Sequence, residues 1–158
     1  MQINIRAYAK VNLFLEVLYK RTDGYHEIDS VFHTVSLHDE VSIEQRSDES
    51  VVVESDIAGI TDRPENNSAY RAAMFFKKRF TLPDGITVFL KKDIPIGGGL
   101  GGSSADAAGV IRAMSQMYSI TIDEEFLKDT SKIGADVPFL IRQGCALVGG
   151  IGEVITPL

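Results

Sequence analysis

The 158 residues hold 16 lysines and arginines against 22 aspartates and glutamates, a formal charge of -6, with 44% apolar and 24% charged residues. That balance suits one soluble globular core, excludes the basic footprint of a nucleic-acid binder, and still permits a local anion site. Cys145 stands alone, so no internal disulfide framework forms, no Cys/His spacing suggests zinc, and no stretch nears the ~20 apolar residues of a membrane span; a cytoplasmic protein without membrane partners is expected.

In chain order, Ile3 to Val17 is apolar at every odd position, a period of two that predicts a strand, bent or broken into two. Residues two apart project to one side, so Lys10 and Asn12 share the polar face. Asp23-Gly24 signals a turn, after which Ile28 to Val35 and Val41 to Ile43 read as two further strands of an antiparallel sheet. Val51 to Glu54 is a short strand and Ala58 to Asn67 is irregular. Ser68 to Phe80 is a helix with Ala72, Ala73, Phe76 and Phe80 on one buried face, and Ile86 to Lys91 alternates as a strand.

Directly after that strand come Pro95, Ile96, Gly97, Gly98, Gly99, Leu100, Gly101, Gly102, Ser103, Ser104 and Ala105, with five glycines in the six positions from 97 to 102. Glycines let the backbone turn sharply and approach a ligand, and the first N–H groups of the helix beyond have no intrahelical acceptor, so the segment is a phosphate cradle. A helix of about three to four turns follows, with Asp106 in its first turn complementing the helix dipole. Thr121-Ile122-Asp123-Glu124 is a capping box for a second helix ending at Lys132, with Gly134 at C′. Asp136 lies just beyond it, Phe139 to Val148 reads as a strand, and Glu153 to Ile155 as another after the Gly149-Gly152 turn.

The glycines also satisfy Gly97-x-Gly99-x-x-Gly102, with Asp123 about twenty residues on, as in a dinucleotide fingerprint. The context opposes that reading, because the preceding strand is amphipathic, ends Lys91-Lys92-Asp93, and sits mid-chain. A Walker A loop fails because no Lys-Ser/Thr pair follows Gly102.

The run from Pro95 to Ala105 resembles the phosphate loop of the galactokinase, homoserine kinase, mevalonate kinase and phosphomevalonate kinase (GHMP) superfamily. Ala9 to Leu15, Asp23 to Glu27 and Gly134 to Phe139, with Gly149 to Glu153, resemble the branch acting on 4-diphosphocytidyl-2-C-methyl-D-erythritol. The resemblance implies an α+β domain like ribosomal protein S5 domain 2, with a mainly antiparallel sheet and helices on one side. It implies transfer of the ATP γ-phosphoryl group to the 2-hydroxyl of that cytidine diphosphate sugar alcohol, in non-mevalonate isoprenoid synthesis. Asp136 would be the base and Lys10 the cation that stabilises the developing charge. Asn12, Tyr25, His26 and Phe32 would shape the acceptor pocket, and Asn67 would lie near the adenine, although Ser68 replaces the leucine expected after it. His33 and His38 match no role. Mg²⁺ would arrive with the nucleotide, near Ser104, with no loop carboxylate placed as its ligand. Family members are nearly twice this long, so residues 1–158 correspond to their N-terminal domain, and the C-terminal domain that closes over the substrate is expected to be absent. Weak nucleotide binding and poor turnover follow; a nucleotide-binding remnant is the rival expectation.

Overall fold

A computed structural model describes residues 1–158. Two long strands, β1 (Gln2–Lys20) and β2 (His26–Arg46), form an antiparallel hairpin. Along its other edge β2 pairs with two strands: β4 (Gly85–Lys91) on residues 40–46 and β5 (Cys145–Gly149) on residues 30–33. β3 (Val51–Ser55) extends the sheet beyond β4 and β6 (Val154–Pro157) beyond β5, giving six strands of which only β3 and β4 run parallel. The two strands expected over 28–35 and 41–43 are thus one strand. Residues 36–40 between them stay in the strand, with His38, Asp39 and Glu40 paired to Tyr8, Ala7 and Arg6 of β1.

Of four helices, α1 (Ser68–Phe80), α2 (Gly102–Tyr118) and α4 (Val137–Arg142) pack against the sheet, and α3 (Glu124–Asp129) packs against α1 and α4. α1 keeps its expected bounds. Asn67 caps it, accepting from the N–H groups of Ala69 at 2.9 Å and Tyr70 at 3.3 Å, and Thr81 ends it in the left-handed conformation. α2 is longer than expected, at 17 residues, and its small residues let it lie directly on the hairpin. A Cβ on Gly109 would stand 2.9 Å from Val41 Cγ2 and 3.1 Å from Ala7 Cβ, so helix and sheet touch backbone to side chain there. Ala7, Val41, Ile43, Val88 and Leu90 from the sheet, with Ala105, Ala108, Ile111 and Met114 from α2, make one continuous core.

Three boundaries differ from expectation. Asp123, not Thr121, caps α3, its carboxylate accepting from Phe126 N–H at 2.7 Å. The α3 segment is short and closes through a 3₁₀ turn at Thr130–Lys132. Phe139 to Arg142, expected as strand, lies in α4: Val137-Pro138 opens a helix, since proline lacks only an N–H that the first turn leaves unpaired anyway. Gln143, at φ 63°, and Gly144 then turn the chain into β5.

Candidate active site

Lys10 sits where a register shift between Tyr8 and Lys10 breaks the alternation of β1, so neighbouring Ala9 and Lys10 are both buried. Its backbone N–H donates to Leu100 O at 3.0 Å, which stitches β1 to the glycine loop. The ammonium has three kinds of neighbour. It lies 3.4 Å from Asp136 Oδ2, donates to Asn12 Oδ1 at 2.7 Å, and stands 4.3 Å above the centre of the Phe32 ring. Asn12 in turn donates to Ser30 Oγ at 3.2 Å, and the buried Ser30 hydroxyl donates to Phe14 O. Phe32 is held edge-on against Phe139 of α4, ring centres 5.3 Å apart. Asp136 is the residue before α4, so the helix that stands in place of the expected strand is what aims this carboxylate at Lys10.

The glycine loop faces that pair. Gly97, Gly99 and Gly101 have φ of 73°, 74° and 73°, a left-handed alternation that residues with a Cβ resist. At Gly101 space is also short: a Cβ would meet Lys10 Cγ at 3.3 Å and Leu140 Cδ1 at 3.4 Å. Gly101 precedes α2 with no side chain capping the helix, and Ala105 N–H is the first to find an acceptor along it, Gly101 O at 2.7 Å. The N–H groups of Gly102 to Ser104 are therefore those the helix leaves unpaired, at its positive end.

Loop, Lys10 and Asp136 line one cavity of about 610 Å³, with Ile60, Asn66, Asn67, Ser68 and Ala69 on the α1 side and Lys92, Ile94 and Asp106 at its floor. Pro95 through Ser104 all contribute to the wall, whereas Ala105 turns into the core. Asn67 lines the cavity, but its side chain is committed to the α1 cap and to Ile60 O at 3.1 Å, while its backbone N–H donates to Pro64 O and its carbonyl accepts from Arg71 N–H. Asn12 and Phe32 stand behind Lys10, outside the cavity wall. Tyr25 and His26 are exposed at the far end of the hairpin, where His26 pairs with Lys20. That end is tied down by Arg21, which bonds Asp23 at 3.0 Å and Glu27 at 2.8 Å, while Glu27 accepts from Gly150 N–H at 2.9 Å. His33 and His38 donate through Nδ1 to nearby carbonyls, Thr34 O and Ser36 O.

Asp106 corrects an expectation. It is the fifth residue of α2, almost wholly buried, and its carboxyl meets the Lys92 ammonium, which also bonds Asp39, rather than serving the helix dipole from solvent. Burial pushes its pKa up to about 7, against the pull of Lys92 and aided by the neighbouring Asp39 carboxylate. One signal in the sequence could have revealed this trio. Asp39 is a charged residue on the side of β2 that continues through Val41 and Ile43 into the core, and such a charge needs a partner. Ser30 has no comparable signal, because serines occur on strands without consequence.

Ser103, Ser104 and Asp136 put hydroxyl and carboxylate oxygens on the cavity wall, the oxygen chemistry that Mg²⁺ takes when it arrives with phosphate and water.

Comparison with known proteins bears on the family and the fold. Residues 67–144 match the family described as the GHMP kinases N terminal domain. The chain is 43% identical over 156 residues, 98% of its length, to the 4-diphosphocytidyl-2-C-methyl-D-erythritol kinase of Caldicellulosiruptor saccharolyticus, covering 53% of that protein. It is 43% identical over 152 residues, 96% of its length, to the kinase of the same name from Thermotoga maritima, covering 54% of it. A crystal structure of 4-(cytidine 5'-diphospho)-2C-methyl-D-erythritol kinase superposes with a TM-score of 0.80 at 36% identity, over 99% of this chain and 55% of that one. The chain thus spans about half the length of the curated relatives it matches, and no helix in it is long and apolar enough to cross a membrane. With its mainly antiparallel sheet, its left-handed glycine loop and this sequence kinship, the chain belongs to the GHMP kinases, whose N terminal domain matches its residues 67–144.

Proposed function

We propose that this chain is the nucleotide-binding and catalytic half of a kinase that phosphorylates the 2-hydroxyl of 4-diphosphocytidyl-2-C-methyl-D-erythritol with ATP, a step of isoprenoid synthesis. The observation that carries the proposal is the Lys10–Asp136 pair, 3.4 Å apart, on the wall of the glycine-loop cavity. Asp136 accepts the proton of the acceptor hydroxyl as its oxygen forms the bond to the γ-phosphorus, and the bond to the β–γ bridging oxygen breaks to release ADP. Lys10, held by Asn12 and Asp136 and desolvated beneath the loop, sets a fixed positive charge beside the charge that develops. The loop N–H groups and the start of α2 take the polyphosphate. Mg²⁺, when bound with the nucleotide, would offset phosphate charge beside Ser103, Ser104 and Asp136. Asn12, Phe32, Tyr25 and His26 are assigned to the acceptor side, the first two by holding Lys10 and the last two by contact with the cytidine.

The test is transfer of labelled γ-phosphate from ATP to the cytidine diphosphate methylerythritol acceptor, by this chain and by a polypeptide extended to the length of its relatives. Transfer by the extended form, with little by residues 1–158, is expected; no transfer by the extended form refutes the assignment. Nucleotide holding without turnover is the second reading, favoured by the exposure of Tyr25 and His26, and it predicts ADP binding with no transfer in either form.

A further inference from the structure

The cavity floor holds a charged cluster that the chemistry above does not use. Lys92 is the first residue after β4, and its side chain is only 4% exposed, wedged between Asp39 of β2 and Asp106 of α2. Asp39 has no exposed surface, and its second oxygen accepts the backbone N–H groups of Asp93 at 2.6 Å and Ile94 at 2.8 Å, the residues leading into the glycine loop. Asp106 lies just past the loop, in α2. Its other oxygen is buried with no hydrogen-bond partner. The ammonium lies 3.8 Å from where a side chain on Gly102 would begin, directly under the junction of loop and helix.

Three elements meet at this one ammonium, and the loop between them makes few bonds of its own: Gly98 N–H to Pro95 O at 3.3 Å and Leu100 O to Lys10. A run of left-handed glycines has many accessible conformations, so something outside it must fix where its two ends stand. We infer that Lys92 is a positioning residue: with Asp39 it ties the start of the loop to β2, and with Asp106 it ties the loop's helical end to the same point, holding the two ends at the separation that fits a nucleotide polyphosphate. This deepens the reading of the loop as a phosphate cradle and rests on it. The charges facing Lys92 are Asp39 from β2 and Asp106 from α2, and although burial alone would lower its pKa, those two carboxyl groups keep it above the ordinary lysine value. Lys92 thus holds its charge throughout the neutral range.

The experiment compares residues 1–158 with Lys92→Met and with Lys92→Met/Asp39→Asn, which removes the charges as a pair in case the single variant does not fold. Phe80→Leu, in the aromatic cluster around Phe126, serves as a control for general destabilisation. Amide exchange is read at Asp93, Ile94, Ala105, Asp106 and Ala107, and ADP affinity by titration calorimetry. Exchange at these amides should quicken and ADP affinity fall, each by about tenfold, in the Lys92 variants and not in the control, the scale expected for losing a charged hydrogen bond. Exchange at those amides that matches the parent overturns the inference. So does quickened exchange with unchanged ADP affinity, or an equal loss of affinity in Phe80→Leu. A parent chain that fails to bind ADP sinks the nucleotide reading instead, and exchange alone then decides whether Lys92 braces the loop.

Discussion

Replacing Asp106 by asparagine should change how the stability of this protein depends on pH. The carboxyl is buried beside a second carboxylate, and its pKa stands at about 7 rather than the ordinary 3.8. A raised carboxyl pKa means the folded state holds a proton that the unfolded state releases, so stability is fully present below about pH 4 and is lost as pH rises through 7. A shift of that size corresponds to about 4 kcal/mol at most, and water reaching the cavity floor reduces it to about 2–4 kcal/mol. Asparagine has the shape of the protonated acid, keeps an oxygen for the Lys92 ammonium and offers an N–H toward Asp39. The variant should therefore match the parent near pH 4.5 and exceed it by about 2–4 kcal/mol at pH 8. Urea unfolding followed by circular dichroism at half-unit intervals from pH 4.5 to 8.5 measures this directly. Stability curves for the two proteins that run parallel across that range would show that Asp106 is ionised in the fold, and the reasoning would fail.

Lys10→Met and Asp136→Asn should each lower phosphoryl transfer by the extended polypeptide by about 10² or more, with ADP affinity changing far less for Asp136→Asn, as steady-state rates and calorimetry can show. Gly97→Ala and Gly101→Ala both place alanine at positive φ, at a cost of about 1–2 kcal/mol, but only the second also presses on Lys10 and Leu140. Gly101→Ala should weaken ADP binding clearly more than Gly97→Ala, and equal effects would argue against contact between loop and lysine. Gly109→Ala should destabilise the fold by about 1–3 kcal/mol in urea titration, because its methyl would collide with Val41 where α2 meets the hairpin. Asn67→Ala should cost about 1 kcal/mol from the lost α1 cap, and an unchanged unfolding midpoint would refute that role.

Much of this fold is legible in the order of the residues alone, and the legible part has a common cause. Alternation, glycine spacing and helix periodicity are consequences of local backbone geometry, so β1, α1, β4 and the loop-to-helix junction can be read within a few residues. The sharing of a face by Lys10 and Asn12 is the same kind of fact, and it reappears as a 2.7 Å hydrogen bond. Local rules fail where two of them compete. Val137-Pro138 favours an extended approach by one rule and a helix start by another, and packing of Phe139 and Leu140 into the core decides for the helix. Leu13, Leu15 and Val17 look like core on β1 but are exposed, as are Phe14, Glu16 and Leu18 at the alternate positions, because both faces of the hairpin are open there.

By itself, then, the sequence determined an anion cradle, a sheet to hold it, and the residue types suited to phosphoryl transfer. Only the tertiary structure brought Asp136 to within 3.4 Å of Lys10, from 126 positions further along the chain. It also decided that Asp106 belongs to a buried cluster with Lys92 and Asp39 and not to the helix dipole. The physical reason is that a charged pair is made by distance and desolvation, and both are set by how β1, α2 and α4 pack, which no spacing along the chain encodes.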